Sequence, residues 1–160
     1  MKSINIKPLL KLVSLMLMLL SAFFVLCVPV ALIYSEPVSP FLISSLAVLT
    51  PGFILHVILR GFTNENLNIR EGYLGVTICW ITMTLFGTLP YLISGTIPGF
   101  VDSLFETVSW FTTTGASILT VVEIMPKSIL FWRSLTHWIG GIGIILLVIT
   151  RGGQGEAPAV

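Results

Sequence analysis

The chain has 160 residues, of which 55% are hydrophobic and 9% charged, with a formal net charge of +1. A mean hydropathy of +1.02 excludes an ordinary soluble domain and points to an integral membrane protein. The near-neutral balance gives no signal for nucleic acid, and Cys27 and Cys79 lie inside apolar runs without metal-ligand spacing, so both read as buried apolar side chains.

The first spanning segment runs over 12–34, uncharged throughout and preceded by Lys2, Lys7 and Lys11. A signal peptide would share that basic start but have a shorter apolar region ending in a small-residue cleavage site, so the segment reads as a retained helix with a cytoplasmic N-terminus and a kink at Pro29. The turn Ser35-Glu36-Pro37-Val38-Ser39-Pro40 closes a helical hairpin onto a second span at 41–59, which carries Pro51, Gly52 and His56. His56 near the cytoplasmic end reads as an interfacial or packing residue, with proton relay as the alternative.

The polar stretch from Arg60 to Glu71 divides the chain. It places a leading helix pair at 1–61, a cytoplasmic linker at 62–71 and a second unit at 72–150, with a polar tail at 151–160. The second unit opens with a third span at 72–93, which has Pro90 near its outer end, and continues into the turn-rich loop 94–99. Gly95 and Gly99 match a glycine dimerisation spacing, but Pro98 between them argues against that use.

The segment 101–117, VDSLFETVSWFTTTGAS, is too short and too polar to be a span. Ser103 and Glu106 have the spacing of a capping box, Asp102 adds negative charge at the positive end of a helix, and Leu104, Phe105, Val108, Trp110 and Phe111 supply the apolar side chains. Ten such residues cover only ~15 Å of a ~30 Å hydrocarbon layer, so the helix enters and turns back. The run Thr112-Thr113-Thr114-Gly115-Ala116-Ser117 then admits two readings. As an extended strand at membrane depth it would present carbonyls to a dehydrated cation, facing the negative C-terminal end of the short helix. As an extracellular threonine-rich turn it would do nothing of the kind.

The loop 119–127 leads to a fourth span at 128–150. Arg133 lies within its first two turns, where it either pairs with Glu106 or Glu123 to brace the preceding loop or contributes to a charged ring at a pore mouth. Gly140, Gly141 and Gly143 fall near mid-membrane and favour close approach of another backbone, a hinge being the alternative. With both termini and the linker inside, Lys2, Lys7, Lys11, Arg60, Arg70 and Arg151 are cytoplasmic and only Lys127 and Arg133 lie outside, which obeys the positive-inside bias.

Taken together, Glu106 to Ser117 (ETVSWFTTTGAS), 126–133 (PKSILFWR) and 137–145 (HWIGGIGII) resemble the first pore unit of the Trk/Ktr potassium-uptake transporters, in particular the Trk-type membrane subunit. The resemblance extends over about residues 1–149. It implies an all-α membrane protein: a leading transmembrane helix pair plus one helix–pore-half-helix–helix repeat of a potassium-channel-like fold. In such a protein four repeats surround one pore in the bacterial cytoplasmic (inner) membrane.

By position the resemblance makes Thr112, Thr113, Thr114, Gly115 and Ala116 the filter strand, with the Thr113 and Thr114 carbonyls as potassium ligands. Asp102, Glu106, Arg133, Gly140, Gly141 and Gly143 would support the pore. It implies no cofactor, potassium being the substrate. The partners it implies are membrane lipid, further pore repeats or other copies of the chain, a second full-length subunit in a homodimer, and a cytoplasmic nucleotide-binding regulatory subunit.

Members of that family continue through three further repeats, whereas this chain carries one and ends in a tail unlike the family continuation. The expectation is therefore a truncated or frame-shifted N-terminal portion, which would transport potassium as part of an assembly or persist as a structural membrane protein without transport of its own. An intramembrane hydrolase built on Ser117 and His137 is the weakest alternative. Ile118 stands where a nucleophile turn needs glycine, and no carboxylate is placed to orient His137. His56 and His137 lie toward opposite faces, which disfavours a metal site.

Overall fold

The structure, a computed structural model, describes residues 6–61 and 69–152, and their side chains except at positions 69 and 144–152. Most of the linker expected at 62–71 and most of the tail expected at 151–160 therefore lie outside the described residues, as does Lys2. Within them the chain folds into six helices: α1 (Ile6–Ile33), α2 (Ser39–Ile58), α3 (Ile69–Gly87), α4 (Leu89–Ser94), α5 (Phe100–Phe111) and α6 (Lys127–Gly152).

Three segments among the described residues are long and apolar enough to cross a membrane: Ile6–Ile33, Ser39–Ile58 and Arg70–Ser94. At 1.5 Å per residue, the 26-residue α6 is also long enough to cross, at about 39 Å. The apolar residues α1 and α2 expose, among them Leu26, Leu32, Leu46 and Ile54, belong against hydrocarbon and not water.

α1 and α2 form a tight antiparallel hairpin because small residues line their seam. The Ser21 and Ser45 hydroxyls bond each other at 2.8 Å in the buried interface. Gly52 lies so close to α1 that a Cβ would meet the Leu17 Cβ at 2.9 Å.

The third span is not one continuous helix, as its length suggested, but α3 and α4 joined at Thr88. Pro90 occupies the first turn of α4, where a missing N–H costs nothing, and the Tyr91 N–H takes the Thr88 carbonyl. That leaves the Gly87 carbonyl without an intrahelical donor, and Trp132 Nε1 of α6 satisfies it at 3.1 Å. Trp132 is fully buried and packs at a tilt against Phe24 of α1 with ring centroids 4.6 Å apart, so one side chain fastens α1, the α3–α4 break and α6 together.

The boundaries move in one further place. α3 starts at Ile69, so Arg70 and Glu71 lie in its first turn and not in the linker.

Candidate functional site

α5 spans 12 residues, about 18 Å, and ends at Phe111 well short of a full crossing. Its start differs from the capping-box expectation. Gly99 is the N-cap, and the Ser103 N–H bonds the Gly99 carbonyl at 2.9 Å while its hydroxyl reaches the Ile97 carbonyl at 2.7 Å. The helix begins four residues earlier than the S-x-x-E spacing implies, which places Ser103 at the start of the second turn and frees Glu106 for another task. Asp102 lies exposed in the first turn of α5, away from the threonine run that follows the helix.

The C-terminal end of α5 closes in a Schellman motif. The Thr113 N–H bonds the Trp110 carbonyl at 3.2 Å and the Thr114 N–H bonds the Ser109 carbonyl at 2.9 Å. The residue that motif puts in the left-handed region is normally glycine; here it is Thr113, at φ 58°. A β-branched residue there is held against its preference by roughly 1–2 kcal/mol. Gly115 also has positive φ, at 75°, while Thr114 between them does not. From Thr112 to Ala116 the backbone is non-helical and mostly exposed, and among the described residues no hydrogen bond ends on any of its carbonyls. Their side chains are partly tied down: the Thr112 hydroxyl donates to the Val108 carbonyl at 2.8 Å and pairs with the Thr114 hydroxyl at 2.9 Å.

Behind this strand stands Glu106, 0% exposed. One carboxylate oxygen accepts from Trp110 Nε1 at 2.9 Å and from Arg133 Nε at 2.8 Å. The other accepts from the Ser117 hydroxyl at 3.1 Å and the Ile118 N–H at 3.2 Å. A buried carboxylate is tolerated when paired and fully hydrogen-bonded, and these donors meet that condition. Of the two acids the sequence offered to Arg133, the structure uses Glu106, whereas Glu123 is exposed in the loop. The guanidinium also lies 3.8 Å over the Trp110 ring, and His137, one turn further along α6, packs on the same ring at 5.1 Å. Glu106 thus joins the half-helix, the far end of the non-helical strand and α6.

Two of the three mid-helix glycines of α6 lie against this assembly. A Cβ on Gly140 would come 1.9 Å from the Phe111 carbonyl oxygen, and one on Gly141 would lie 3.9 Å from the Thr113 methyl. Gly143 is further along, 3.7 Å from the Trp80 ring by the same construction, in the wall of an apolar cavity of about 450 Å³ between α1, α3 and α6.

Ser117 and His137 are not brought together as a nucleophile–base pair among the described residues. The Ser117 hydroxyl donates to Glu106, not to His137, whose Nδ1 is buried without a hydrogen-bond partner among the described residues. No cluster of three or more histidine, cysteine or acidic side chains able to hold a metal occurs among the described residues.

Sequence reasoning missed Glu36 altogether. This residue of the α1–α2 turn accepts from the backbone N–H groups of Lys127 and Ser128 at 2.6 and 2.9 Å and from the Ser128 hydroxyl at 2.5 Å, capping α6 from 91 residues away. Burial pushes the Glu36 carboxyl up, but the Ser128 hydroxyl, the two backbone N–H groups and the Lys127 charge outweigh it and hold the carboxyl below its ordinary range. A cap supplied in trans leaves no local pattern. The only sequence sign is a lone acid in a turn.

The family model for TrkH, described as a cation transport protein, matches residues 48–150. The chain is 37% identical over 116 residues to an uncharacterized cation transporter of Methanocaldococcus jannaschii, covering 71% of this chain and 24% of that protein. It is 34% identical over 146 residues to the Trk system potassium uptake protein TrkH of Vibrio parahaemolyticus, covering 89% of this chain and 30% of that one. The crystal structure of the potassium transporter TrkH from Vibrio parahaemolyticus superposes with a TM-score of 0.86 at 32% identity, over 96% of this chain and 34% of that chain. The chain therefore spans about a quarter to a third of the length of these relatives.

Proposed function

The chain belongs to the TrkH family of cation transport proteins, and on that premise we propose that it forms one wall of a potassium-uptake pathway in which Thr112–Ala116 is the ion-lining strand. The observation that carries this reading is a half-length helix followed by five residues whose carbonyls accept no hydrogen bond among the described residues, anchored from behind by Glu106. A cation leaving water must exchange its hydration shell for oxygens held at fixed positions. Bare peptide carbonyls supply these without a counter-charge that would bind the ion too tightly to release. The C-terminal end of α5 adds the partial negative charge of its macrodipole, roughly half an elementary charge, next to the strand.

The Thr113 and Thr114 carbonyls are the proposed ligands. The positive φ of Thr113 and Gly115 on either side of Thr114 supports a strand whose successive carbonyls turn toward one side, since regular β structure would alternate them. Glu106 and Arg133 hold the strand's far end, and Gly140 and Gly141 let α6 lie against its near end. Asp102 makes no such contact among the described residues and is not part of the proposed support.

One strand cannot encircle an ion. The exposed faces of Thr114, Gly115 and Ala116 fit a pathway completed by further pore units, whether on the same polypeptide or on other copies. The same exposure favours a second reading, in which this chain alone is a membrane protein without transport. A regulatory nucleotide-binding partner on the cytoplasmic side, a homodimeric full-length assembly, residence in a bacterial inner membrane and cytoplasmic termini belong to the first reading.

Expression in bacteria lacking potassium uptake tests it. Growth on low potassium that Gly115→Ser alters in its potassium-over-sodium preference supports the filter. Rescue with an unchanged preference removes Thr112–Ala116 from the pathway, and failure to rescue at normal membrane levels favours the second reading.

A further inference from the structure

We propose that Glu36, in the turn of the leading helix pair, is a positioning residue for the Thr112–Ala116 strand. At the N-terminus of α6, helix geometry leaves backbone donors without intrahelical partners. Pro126 just before it has no N–H to offer. The next two donors, at Lys127 and Ser128, both end on the Glu36 carboxylate, as does the Ser128 hydroxyl. The carboxylate also places negative charge at the positive end of the α6 macrodipole. Lys127 is the only charged side chain acting on Glu36 among the described residues.

Six residues past Lys127, less than two turns on, α6 presents Arg133, whose Nε holds Glu106 at 2.8 Å. Glu106 in turn holds the Ser117 hydroxyl and the Ile118 N–H, where the strand ends. A continuous series of hydrogen bonds therefore runs from the α1–α2 turn through the first two turns of α6 to the strand. The rotation and axial height of α6 set where Arg133 reaches Glu106, and Glu36 fixes both at the end nearest the strand. The leading pair, which lies outside the helix–half-helix–helix unit, thereby sets the geometry of that unit's ion-lining segment.

The functional weight of this inference rests on the filter reading above, but its mechanical link is tested without transport. Backbone hydrogen exchange is measured on the purified protein in lipid nanodiscs. In Glu36→Ala, exchange at Lys127 and Ser128 rises, and exchange at Ile118 rises about fivefold with it, the scale of one lost helix cap. Glu36→Gln, which keeps one acceptor and the side-chain volume, gives a smaller rise at both places and serves alone if the alanine variant does not accumulate. Faster exchange at Lys127 and Ser128 with Ile118 unchanged makes Glu36 a local cap only and overturns the proposal, as does unchanged exchange at all three. The Gly115→Ser selectivity result is independent of these outcomes, so a failed filter and a failed link give different data.

Discussion

Gly140 of α6 and Phe111 at the end of α5 approach so closely that no side chain fits between them: a Cβ on Gly140 would lie 1.9 Å from the Phe111 carbonyl oxygen, 2.7 Å from its carbon and 3.1 Å from its α-carbon. The obstacle is backbone, which cannot swing aside as a flexible side chain would. In this arrangement the Gly140 Cα–H faces the last carbonyl of the half-helix, a weak contact that other residues could make only at greater separation.

Gly140→Ala should therefore force α5 and α6 apart and destabilise the protein by at least the ~1–3 kcal/mol typical of overpacking. Gly141→Ala, whose added methyl would meet only the Thr113 methyl at 3.9 Å, should cost far less. Thermal unfolding of both variants in detergent checks the order. Equal effects would mean that the close approach is not what requires glycine at 140.

Glu106→Gln removes the charge facing Arg133 and leaves an arginine side chain only 12% exposed without its counter-ion. Breaking such a pair one-sidedly costs on the order of 3–5 kcal/mol because the remaining charge is left buried and unpaired, and removing that second charge relieves the cost. The double variant Glu106→Gln/Arg133→Met should accordingly be more stable than Glu106→Gln alone. A double-mutant cycle on unfolding free energies measures the coupling, and simple additivity would refute it.

Thr113 occupies a left-handed position that glycine fills more easily. Relief of that strain should outweigh the extra backbone entropy of glycine, so Thr113→Gly should raise stability by up to about 1 kcal/mol. Thr114→Gly, at a position without positive φ, should lower it by about 0.5–1 kcal/mol. Opposite shifts of the unfolding midpoint are the expected result. Shifts of the same sign would show that Thr113 is not strained.

Acid should weaken the clamp between the leading pair and α6. The Glu36 carboxyl is held below its ordinary value of 4.5, so the folded state binds its proton more weakly than the unfolded chain does. The resulting stability is fully present above that ordinary value and is lost as pH falls through the lower folded value. Melting curves from pH 7 down to pH 3 should show a decline that is shallower in Glu36→Gln, which has no proton to take up at that position. Parallel curves would mean that Glu36 carries no pH-dependent stability.

Hydropathy, length and the placement of turn residues are local properties, and they made the helical architecture legible. Uncharged runs long enough to cross a bilayer, a proline-rich turn between the first two, and an amphipathic stretch too short to cross can all be read without knowing what touches what. The threonine run was visible for the same reason, since a β-branched, hydroxyl-rich hexapeptide with one glycine is a poor helix. The break at Thr88 was less visible. Pro90 fits the first turn of a new helix as well as it fits a kink, and only the Trp132 indole donating to the freed Gly87 carbonyl makes the break stable.

What the sequence determined by itself was that apolar segments must span, that the α5 stretch cannot, and that the residues after it resist helix, because each follows from chain length against bilayer thickness and from intrinsic backbone preference. Tertiary structure alone decided that Glu106 leaves its expected capping role for Arg133, Ser117 and Ile118, that Thr113 and not glycine takes the left-handed turn, and that Glu36 caps a helix 91 residues away. Those outcomes depend on which donors are left unsatisfied once the helices pack, a quantity that exists only in three dimensions.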